Sequence, residues 1–469
     1  MIKNKLDLIK VKILILLLLF TNTCSLFAQK NYNYQHIVDL SQIWKDVHEN
    51  FYNPQLLKEI NFDSIYQVFI PLVAKVENKS EYHFLLQKFM ANLQDGHTEV
   101  LYEKRWKQLP DQIDFLPSEF TWVNNKLFIS AVDKGRITDI PIGSEILKIK
   151  GIRTHTFLQE NIYPYISSNT LQDKKRKATD LLTWGHKDST ISMQIKTPDN
   201  TTKIITIPYC MRHQQLNFRR DLTGWKGSSI YRYRETDSYL VEKEDYKYYY
   251  FRFDNTFALS NSITDIVHDA ASRPDSINSA DYTILDLRYC TGGSELKADT
   301  LLMCFLDIDT LRTYKSLTRK NIAFYNAMGY GFKEYRDYYE GLKMDTLPES
   351  IIIKKNLPLF TKPLYILISE ITYSAAEDLL ITLKLHYPDR AILVGTPTGG
   401  STGAPLVKFL SDGTLYRICT RAPLLPPALM NNGIIPDYYY EKIIKDYIEG
   451  TDEVFNYIKQ LYKNESKQI

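Results

Sequence analysis

Closely spaced cysteines are missing from this sequence of 469 residues, which contains five cysteines in all. Cys24 lies near the start, and Cys210, Cys290, Cys304 and Cys419 are scattered along the rest of the chain. Their spacing fits neither a disulfide framework nor a set of metal ligands. We therefore expect no structural zinc or other metal, and stability should come from ordinary core packing.

A large net charge of one sign is missing as well. The chain has 58 basic and 55 acidic residues, and residues 1–28 account for four lysines and one aspartate, which leaves 54 of each. Proteins that bind nucleic acid over a broad face present a basic surface to the phosphates. The balanced charge therefore predicts no nucleic-acid partner.

The apolar run near the N-terminus, residues 13–20, is too short to cross a bilayer, which takes about 20 residues. Four lysines precede this run, and residues 25–28 offer a small-residue cleavage site before Gln29. The pattern predicts a signal peptide over residues 1–28 and an exported, periplasmic or extracellular protein with no stable membrane span. Lipidation at Cys24, giving an outer-surface lipoprotein, is the less favoured alternative because the residues before it suit lipid attachment poorly.

Amphipathic helices dominate the next segment. Apolar residues recur at three- and four-residue steps in 36–51, 63–76 and 81–93. Three such helices predict a helical domain over residues 29–105. Gly96 should close the third helix, because glycine is favoured just past a helix C-terminus.

Short strands are predicted beyond the helices. Residues 122–132 have the composition of a strand, and 143–151 alternate apolar and polar residues before a glycine turn. Two further strands are expected at 191–195 and 203–207. Together they predict a small β-rich domain with helical insertions over residues 106–210.

The last part of the chain alternates strands with helices. A strand at 282–288 precedes a helix at 295–306, and a strand at 364–369 precedes a helical run at 378–386. This alternation predicts an α/β core, which we assign to residues 211–469. The length of the chain agrees with two or three domains.

Ser374 lies at the predicted turn from strand to helix and has two interpretations. As part of a capping box, its hydroxyl would accept a helical N–H while Glu377 reaches back to the serine N–H. As a nucleophile, it would have the amide of Ala375 and the helix dipole directed at developing negative charge. These few residues alone favour the cap, because capping serines outnumber catalytic ones.

Four ordered motifs decide between these interpretations through a resemblance. They are Asp286-Leu287-Arg288 with Gly292-Gly293, then Thr372-x-Ser374-Ala375-Ala376-Glu377, then Gly395-x-x-Thr398-Gly399-Gly400, and Gly433-Ile434-Ile435-Pro436-Asp437. In this order the chain resembles the tricorn and C-terminal-processing family of serine peptidases. The resemblance implies a multidomain α+β fold with an N-terminal helical bundle, a PDZ-like β-rich domain and an α/β core of the crotonase or Clp-protease-like ββα type.

The resemblance also implies which residue serves as the base. In the processing branch a lysine follows the Thr-x-Gly segment, but here Ser401 fills that position, and neither Lys384 nor Lys408 matches it. In the tricorn-like branch the base is a histidine from the helical region, and the segment 95–98 with His97 is similar to that element. His97 is therefore the expected general base, because a serine near its free pKa needs one.

The rest of the expected site follows from the same resemblance. Ser374 would attack a peptide carbonyl, and the amides of Ala375 and of Gly292 or Gly293 would form the oxyanion hole. Chemistry of this kind supplies its own nucleophile and base, so no cofactor is expected. The expected partner is a polypeptide substrate, and the oligomeric state stays open.

Two positions depart from the family pattern. Cys290 stands where family members usually have asparagine, and Asn431 and Asn432 stand where the tricorn-like pattern often has an acid. Either Glu377 or Asn432 is a possible orienting partner for the histidine, since asparagine takes that role in papain-like sites. The third member of the relay stays open between them.

Two functions of different classes remain. The first is an exported serine endopeptidase that forms an acyl-enzyme at Ser374. The alternative is a catalytically inactive peptide- or lipid-binding protein on the same fold, as the retinoid-binding repeats of the eye resemble it. Cys290 and the missing acid favour the alternative, whereas Ser374, His97 and the glycine pair favour the enzyme.

Overall fold

A computed structural model describes nine stretches of the chain, namely residues 34–101, 113–133, 140–210, 225–227, 237–243, 246–253, 262–354, 356–426 and 432–466. The predicted leader at 1–28, Cys24 and Asn431 lie outside the described residues. Within those stretches, no helix combines the length and apolar character that crossing a membrane requires.

Four helices open the described chain, and their ends have the expected chemistry. Asn53, Asn61 and Asn78 cap the second, third and fourth helices by accepting backbone N–H bonds. The three helices predicted from periodicity are confirmed to within a few residues. The helices are α1 (34–50), α2 (Pro54–Glu59), α3 (Phe62–Lys75) and α4 (Lys79–Ala91).

The end of α4 differs from the prediction. The helix stops at Ala91, and the residue in the left-handed region is Gln94, with φ 49°, so Gly96 does not close the helix. Gly96 is required for another reason. A Cβ atom there would lie 1.8 Å from the hydroxyl oxygen of Tyr373, which packs against this turn.

The β-rich region forms a seven-stranded antiparallel sheet in the order β10-β4-β5-β8-β9, with β3 on β4 and β6 on β5. Its elements, with the preceding strand β1, are β1 (Glu99–Leu101), β2 (Ile113–Phe115), β3 (Ser118–Val123), β4 (Lys126–Asp133), β5 (Glu145–Ile149), β6 (Ile152–Arg153), α5 (Thr154–Asn161), a 3-10 turn (Tyr163–Tyr165), α6 (Leu171–Leu182), β7 (Trp184–His186), β8 (Thr190–Lys196), β9 (Thr202–Pro208) and β10 (Trp225–Gly227).

The strands predicted at 191–195 and 203–207 are confirmed, but the segment 122–132 is not one strand. It contains a hairpin in which β3 turns into β4 at Asn124 and Asn125, whose φ angles are 48° and 61°. Asparagine tolerates the left-handed region better than most residues, and two such residues suit a tight hairpin turn. The pair of asparagines therefore indicates a turn, although the apolar residues on either side favour a strand.

The C-terminal part is built on a six-stranded sheet in the order β11-β12-β13-β18-β19-β23, in which only the pair β11 and β12 is antiparallel. The first half comprises β11 (Asp237–Lys243), β12 (Tyr246–Arg252), α7 (Ser262–Ala271), α8 (Pro274–Asn278), β13 (Tyr282–Asp286), α9 (Glu295–Met303), β14 (Thr310–Arg312), β15 (Ser316–Arg319), α10 (Ala323–Gly331), a 3-10 turn (Lys333–Tyr335), α11 (Arg336–Tyr339), β16 (Met344–Leu347) and β17 (Ile351–Ile353).

The second half completes this sheet and two of three small ones, the third being β14-β17 within the first half. The small sheets have the orders β1-β21-β20, β16-β15-β22 and β14-β17. The elements are β18 (Leu364–Ile368), α12 (Ala375–His386), a 3-10 turn (Pro388–Arg390), β19 (Ala391–Gly395), β20 (Pro405–Phe409), β21 (Leu415–Cys419), β22 (Arg421–Pro423), β23 (Tyr438–Tyr439), α13 (Ile444–Glu449) and α14 (Val454–Glu465).

Strands β13 and β18 are buried along their whole length, as expected for parallel strands covered on both faces. One face packs Leu285 and Ile366 against Leu379 of α12. The other face packs Tyr365 against Ile458 of α14. Because adjacent parallel strands end at the same edge of a sheet, the segments after β13 and β18 meet there.

A buried ion pair holds the end of β13. The guanidinium of Arg288 donates to both carboxylate oxygens of Asp286, at 3.0 and 2.8 Å, and the Tyr250 hydroxyl donates to the same carboxylate at 2.7 Å. Burial alone would raise the pKa of Asp286, but the Arg288 guanidinium lowers it. The pair therefore stays ionised.

We expect Arg288→Met to lower the free energy of unfolding by about 3 kcal/mol, because it leaves the buried Asp286 carboxylate without its counter-charge. Urea denaturation followed by circular dichroism measures this. Arg312→Met is the matched control, since 64% of the Arg312 side chain is exposed, and it should change stability by less than about 0.5 kcal/mol. Equal effects of the two changes would contradict the prediction.

Candidate active site

Ser374 stands at the sharp turn between β18 and α12. Its φ of 55° and ψ of −124° are strained for a residue with a side chain. The Ser374 hydroxyl makes no capping hydrogen bond to the helix, so the interpretation as a capping box is wrong. The turn instead presents the hydroxyl away from the helix, as in a nucleophile elbow.

His97 meets this hydroxyl although it lies 277 residues earlier in the chain. Its Nε2 is 3.1 Å from Ser374 Oγ, and its Nδ1 is 2.7 Å from Ser401 Oγ. A neutral imidazole has one donor nitrogen and one acceptor nitrogen. For Nε2 to accept the Ser374 proton, Nδ1 must carry the ring hydrogen and donate it to Ser401.

The neighbours of His97 hold both its backbone and its ring. Asp95 Oδ1 accepts the His97 N–H at 2.9 Å, and Asn169 Nδ2 donates to the other carboxylate oxygen at 3.2 Å. The Tyr373 ring stacks on the imidazole, with the ring centres 5.0 Å apart and the planes 15° from parallel. His97 is therefore fixed by segments from three parts of the chain.

The surroundings of His97 also set its charge. Burial lowers the pKa of His97 well below its ordinary value of 6.5, and the positive charges of Arg417 and Lys177 lower it further. Lys177 lies with its ammonium 5.4 Å from the centre of the Tyr373 ring, on the helix α6. The imidazole is consequently neutral near pH 7, which is the form that a general base needs.

The segment after β13 lies against the Ser374 turn. The Cys290 carbonyl accepts the Tyr373 N–H at 3.0 Å. Gly292 has a φ of 88°, and a Cβ there would lie 2.6 Å from Ser374 Cβ and 2.7 Å from the Ala375 nitrogen. Only glycine fits this approach. The sequence therefore has a physical reason for the first glycine of the pair.

Ala375 is the first residue of α12, so its amide has no acceptor within the helix. Among the hydrogen bonds of the described residues, none has this amide as donor. Gly293 follows Gly292 with a φ of 134°. The structure thus brings Ser374, Ala375 and Gly292 together, as expected. The Cys290 side chain is fully buried in the core of the sheet.

Glu377 lies beneath the turn and binds the segment 398–401. Its carboxylate accepts the amides of Gly400 and Ser401, both at 2.8 Å, and the Thr398 hydroxyl. Burial raises the pKa of Glu377 from its ordinary value, and the three donors, which favour the ionised form, oppose the shift. Ser401 thus links the Glu377 carboxylate to the His97 ring.

Asn432, the other predicted orienting residue, is exposed, and its backbone carbonyl accepts from Gln172 Nε2 at 2.6 Å. In the described part of the chain, neither its side chain nor that of Glu377 is a hydrogen-bond partner of the His97 ring. Sequence reasoning missed the residue that does bind the ring, Ser401. The one signal was its position, where the processing branch has lysine, and that position indicated no role for a serine hydroxyl.

Two parts of the chain match the models of known protein families. Residues 253–440 match the profile of peptidase family S41, and residues 33–91 match the tricorn protease C1 domain. A comparison with curated protein sequences finds no match to this chain.

Several solved structures share the fold. A mutant of CPAF has a TM-score of 0.67 at 16% identity, over 92% of this chain and 98% of that chain. Mature CPAF complexed with lactacystin has a TM-score of 0.64 at 16% identity, over 92% and 99% of the two chains. A putative peptidase from Parabacteroides merdae has a TM-score of 0.50 at 14% identity, over 92% and 96%. At these identities the likeness concerns the fold alone.

The pKa of His97 makes a prediction about pH. Activity needs the neutral ring, so the acid limb of kcat/KM should lie below pH 6.5, since the pKa of His97 is lowered from that value. Lys177→Gln removes a positive charge near the ring and should move the limb to higher pH. A limb above pH 6.5 in the wild type, or a shift to lower pH in the variant, would contradict the account.

Proposed function

Because the chain belongs to peptidase family S41, a family of serine peptidases, we propose that it is an exported endopeptidase that cleaves polypeptides through an acyl-enzyme at Ser374. The observation that carries the proposal is the 3.1 Å contact between His97 Nε2 and Ser374 Oγ. The alternative, an inactive binding protein, gives this contact no purpose.

The reaction would proceed in two steps. His97 takes the proton of the Ser374 hydroxyl as the oxygen attacks the peptide carbonyl, and it then gives that proton to the departing amine. Water, deprotonated by the same ring, then attacks the acyl-enzyme; the carboxylic acid product leaves, and the ring returns the proton to Ser374 Oγ. Because the ring is neutral at the start, each step begins from the form of His97 that its surroundings favour.

The oxyanion of the tetrahedral intermediate would be held by backbone amides. The amide of Ala375 is the first donor, supported by its place at the start of α12, where the helix dipole favours negative charge. The amide of Gly292 or Gly293 is the second, supported by the close approach of Gly292 to Ser374 and Ala375. The hydrogen bonds from both amides would strengthen as negative charge develops on the carbonyl oxygen.

The division into domains is part of the proposal. Residues 29–105 would bring the histidine, residues 211–469 would form the core, and residues 106–210 would be a PDZ-like domain that holds the polypeptide. Support for the last comes from α6, which touches the site where Thr170 Oγ1 donates to the Gly399 carbonyl at 2.8 Å. Export is proposed from the signal-peptide pattern predicted for residues 1–28.

Covalent labelling by a fluorophosphonate probe tests the proposal. Residues 29–469 should take the label on Ser374, and Ser374→Ala should abolish it. His97→Ala should lower the labelling rate by at least about 1,000-fold, because the serine then loses its base. Cleavage of casein should follow the same order.

Two matched variants control for folding. Ser279→Ala removes an exposed hydroxyl and His268→Ala removes an exposed imidazole of α7, and both should label at the wild-type rate. The proposal would be contradicted if the folded wild type takes no label. It would also be contradicted if His97→Ala is labelled at the wild-type rate.

The oxyanion hole gives a separate prediction. Gly292→Ala places a Cβ within 2.7 Å of the Ala375 nitrogen and should lower kcat by about 100-fold or more, since one donor of such a hole contributes that much. Gly413→Ala is the matched control. Its φ of 83° is similar to that of Gly292, but a Cβ there meets nothing within 4 Å. Loss of activity in both variants alike would point to backbone strain instead.

A further inference from the structure

Ser401 makes three separate contacts with the candidate catalytic residues. Its carbonyl accepts the Ser374 N–H at 3.1 Å, its hydroxyl oxygen lies 2.7 Å from His97 Nδ1, and its own N–H donates to Glu377 at 2.8 Å. Only 4% of Ser401 is exposed. One buried residue thus sets the nucleophile and the base relative to each other.

We propose that Ser401 is the positioning residue that fixes the tautomer and the orientation of His97, and that Glu377 anchors Ser401. The proposal rests on the proposed function, because it assigns the third member of the relay at that same site. A neutral hydroxyl, rather than a carboxylate or an asparagine amide, would then accept the Nδ1 hydrogen.

The electrostatics explain how a neutral acceptor suffices. When His97 takes the Ser374 proton it becomes an imidazolium, and the bond from its Nδ1–H to Ser401 Oγ becomes charge-assisted. A carboxylate at that place would favour the imidazolium in the resting state as well. With Ser401 there, the ring rests in its neutral form and still has an acceptor at the moment of proton transfer.

The anchor is a buried network around Glu377. Only 2% of Glu377 is exposed, and its carboxylate accepts from two successive amides, those of Gly400 and Ser401. The hydroxyl of Thr398 joins this network and also accepts the Ile434 N–H at 2.7 Å. The third and fourth motifs are thereby joined behind the histidine, which leaves the Ser401 hydroxyl little freedom.

Kinetics provide the first test. Ser401→Ala should lower kcat by about 100-fold while KM stays within about threefold, because the change affects proton transfer and leaves substrate binding intact. Ser401→Thr, which keeps the hydroxyl, should recover at least about tenfold over the alanine variant. Ser144→Ala is the control, since it removes another fully buried hydroxyl, one far from the site in sequence that donates to the Pro141 carbonyl at 2.6 Å. A kcat of Ser401→Ala within twofold of the Ser144→Ala value would overturn the proposal.

The tautomer provides a second test that does not depend on activity. In protein labelled with ¹⁵N-histidine, the signals of His97, identified by their loss in His97→Gln, should show the hydrogen on Nδ1. Ser401→Ala should redistribute it toward Nε2, and Glu377→Gln should do so partly, because its amide NH₂ would face a backbone donor. An unchanged tautomer in Ser401→Ala would overturn the positioning role, and an unchanged one in Glu377→Gln would overturn the anchor.

The two proposals can fail separately. If the wild type takes no fluorophosphonate label but Ser401→Ala shifts the tautomer, the peptidase proposal fails and the placement of His97 by Ser401 stands. If the wild type labels and Ser401→Ala labels at the same rate with the same tautomer, the peptidase proposal stands and the positioning role fails.

Discussion

The candidate site depends on one short strand pairing. Strand β1 begins two residues after His97 and pairs antiparallel with β21 of the C-terminal region, with Glu99 opposite Arg417. This pairing holds the histidine against a serine that lies 277 residues away in the chain. The Thr98 hydroxyl, which accepts the Cys419 N–H at 2.8 Å, and the packing of Tyr416 and Ile418 in the core of the N-terminal helices reinforce the pairing.

Burial around this contact shifts the pKa values of two neighbouring groups in opposite directions. The pKa of His97 is lowered by desolvation, which keeps a base neutral, and the pKa of Glu377 is raised for the same reason. Both groups have hydrogen-bond partners on fixed neighbours. The strained backbone of Ser374, which costs about 1–3 kcal/mol, is held by the packing of β18 and α12 on either side.

Local patterns of the sequence were sufficient for much of the fold. The helices and the buried strands follow from periodicity, and the turn at Ser374 follows from a strand that runs into a helix. The prediction of a single strand over residues 122–132 was wrong because two asparagines in the left-handed region interrupt it. Gly96 was misjudged because the need for glycine there comes from Tyr373, a contact that no local window contains.

The candidate site likewise has residues that the sequence predicts and a residue whose surroundings depend on tertiary contacts. Ser374 and His97 could be predicted because each lies in a motif with a strong resemblance to a known family. Ser401 could not, because the role proposed for it requires that its hydroxyl, carbonyl and amide face three different partners. Those directions are set by the tertiary network around Glu377, and spacing alone gave no reason to choose Ser401 over Asn432.

The central claim is that Ser374 carries an acyl group during turnover with His97 as its base. The most direct measurement is mass spectrometry of the protein quenched during hydrolysis of a slow ester substrate, followed by mapping of the adduct. The account predicts one acyl group on Ser374, formed fast in the wild type and at a greatly reduced rate in His97→Ala. An adduct on another residue, or turnover without any adduct on Ser374, would contradict it.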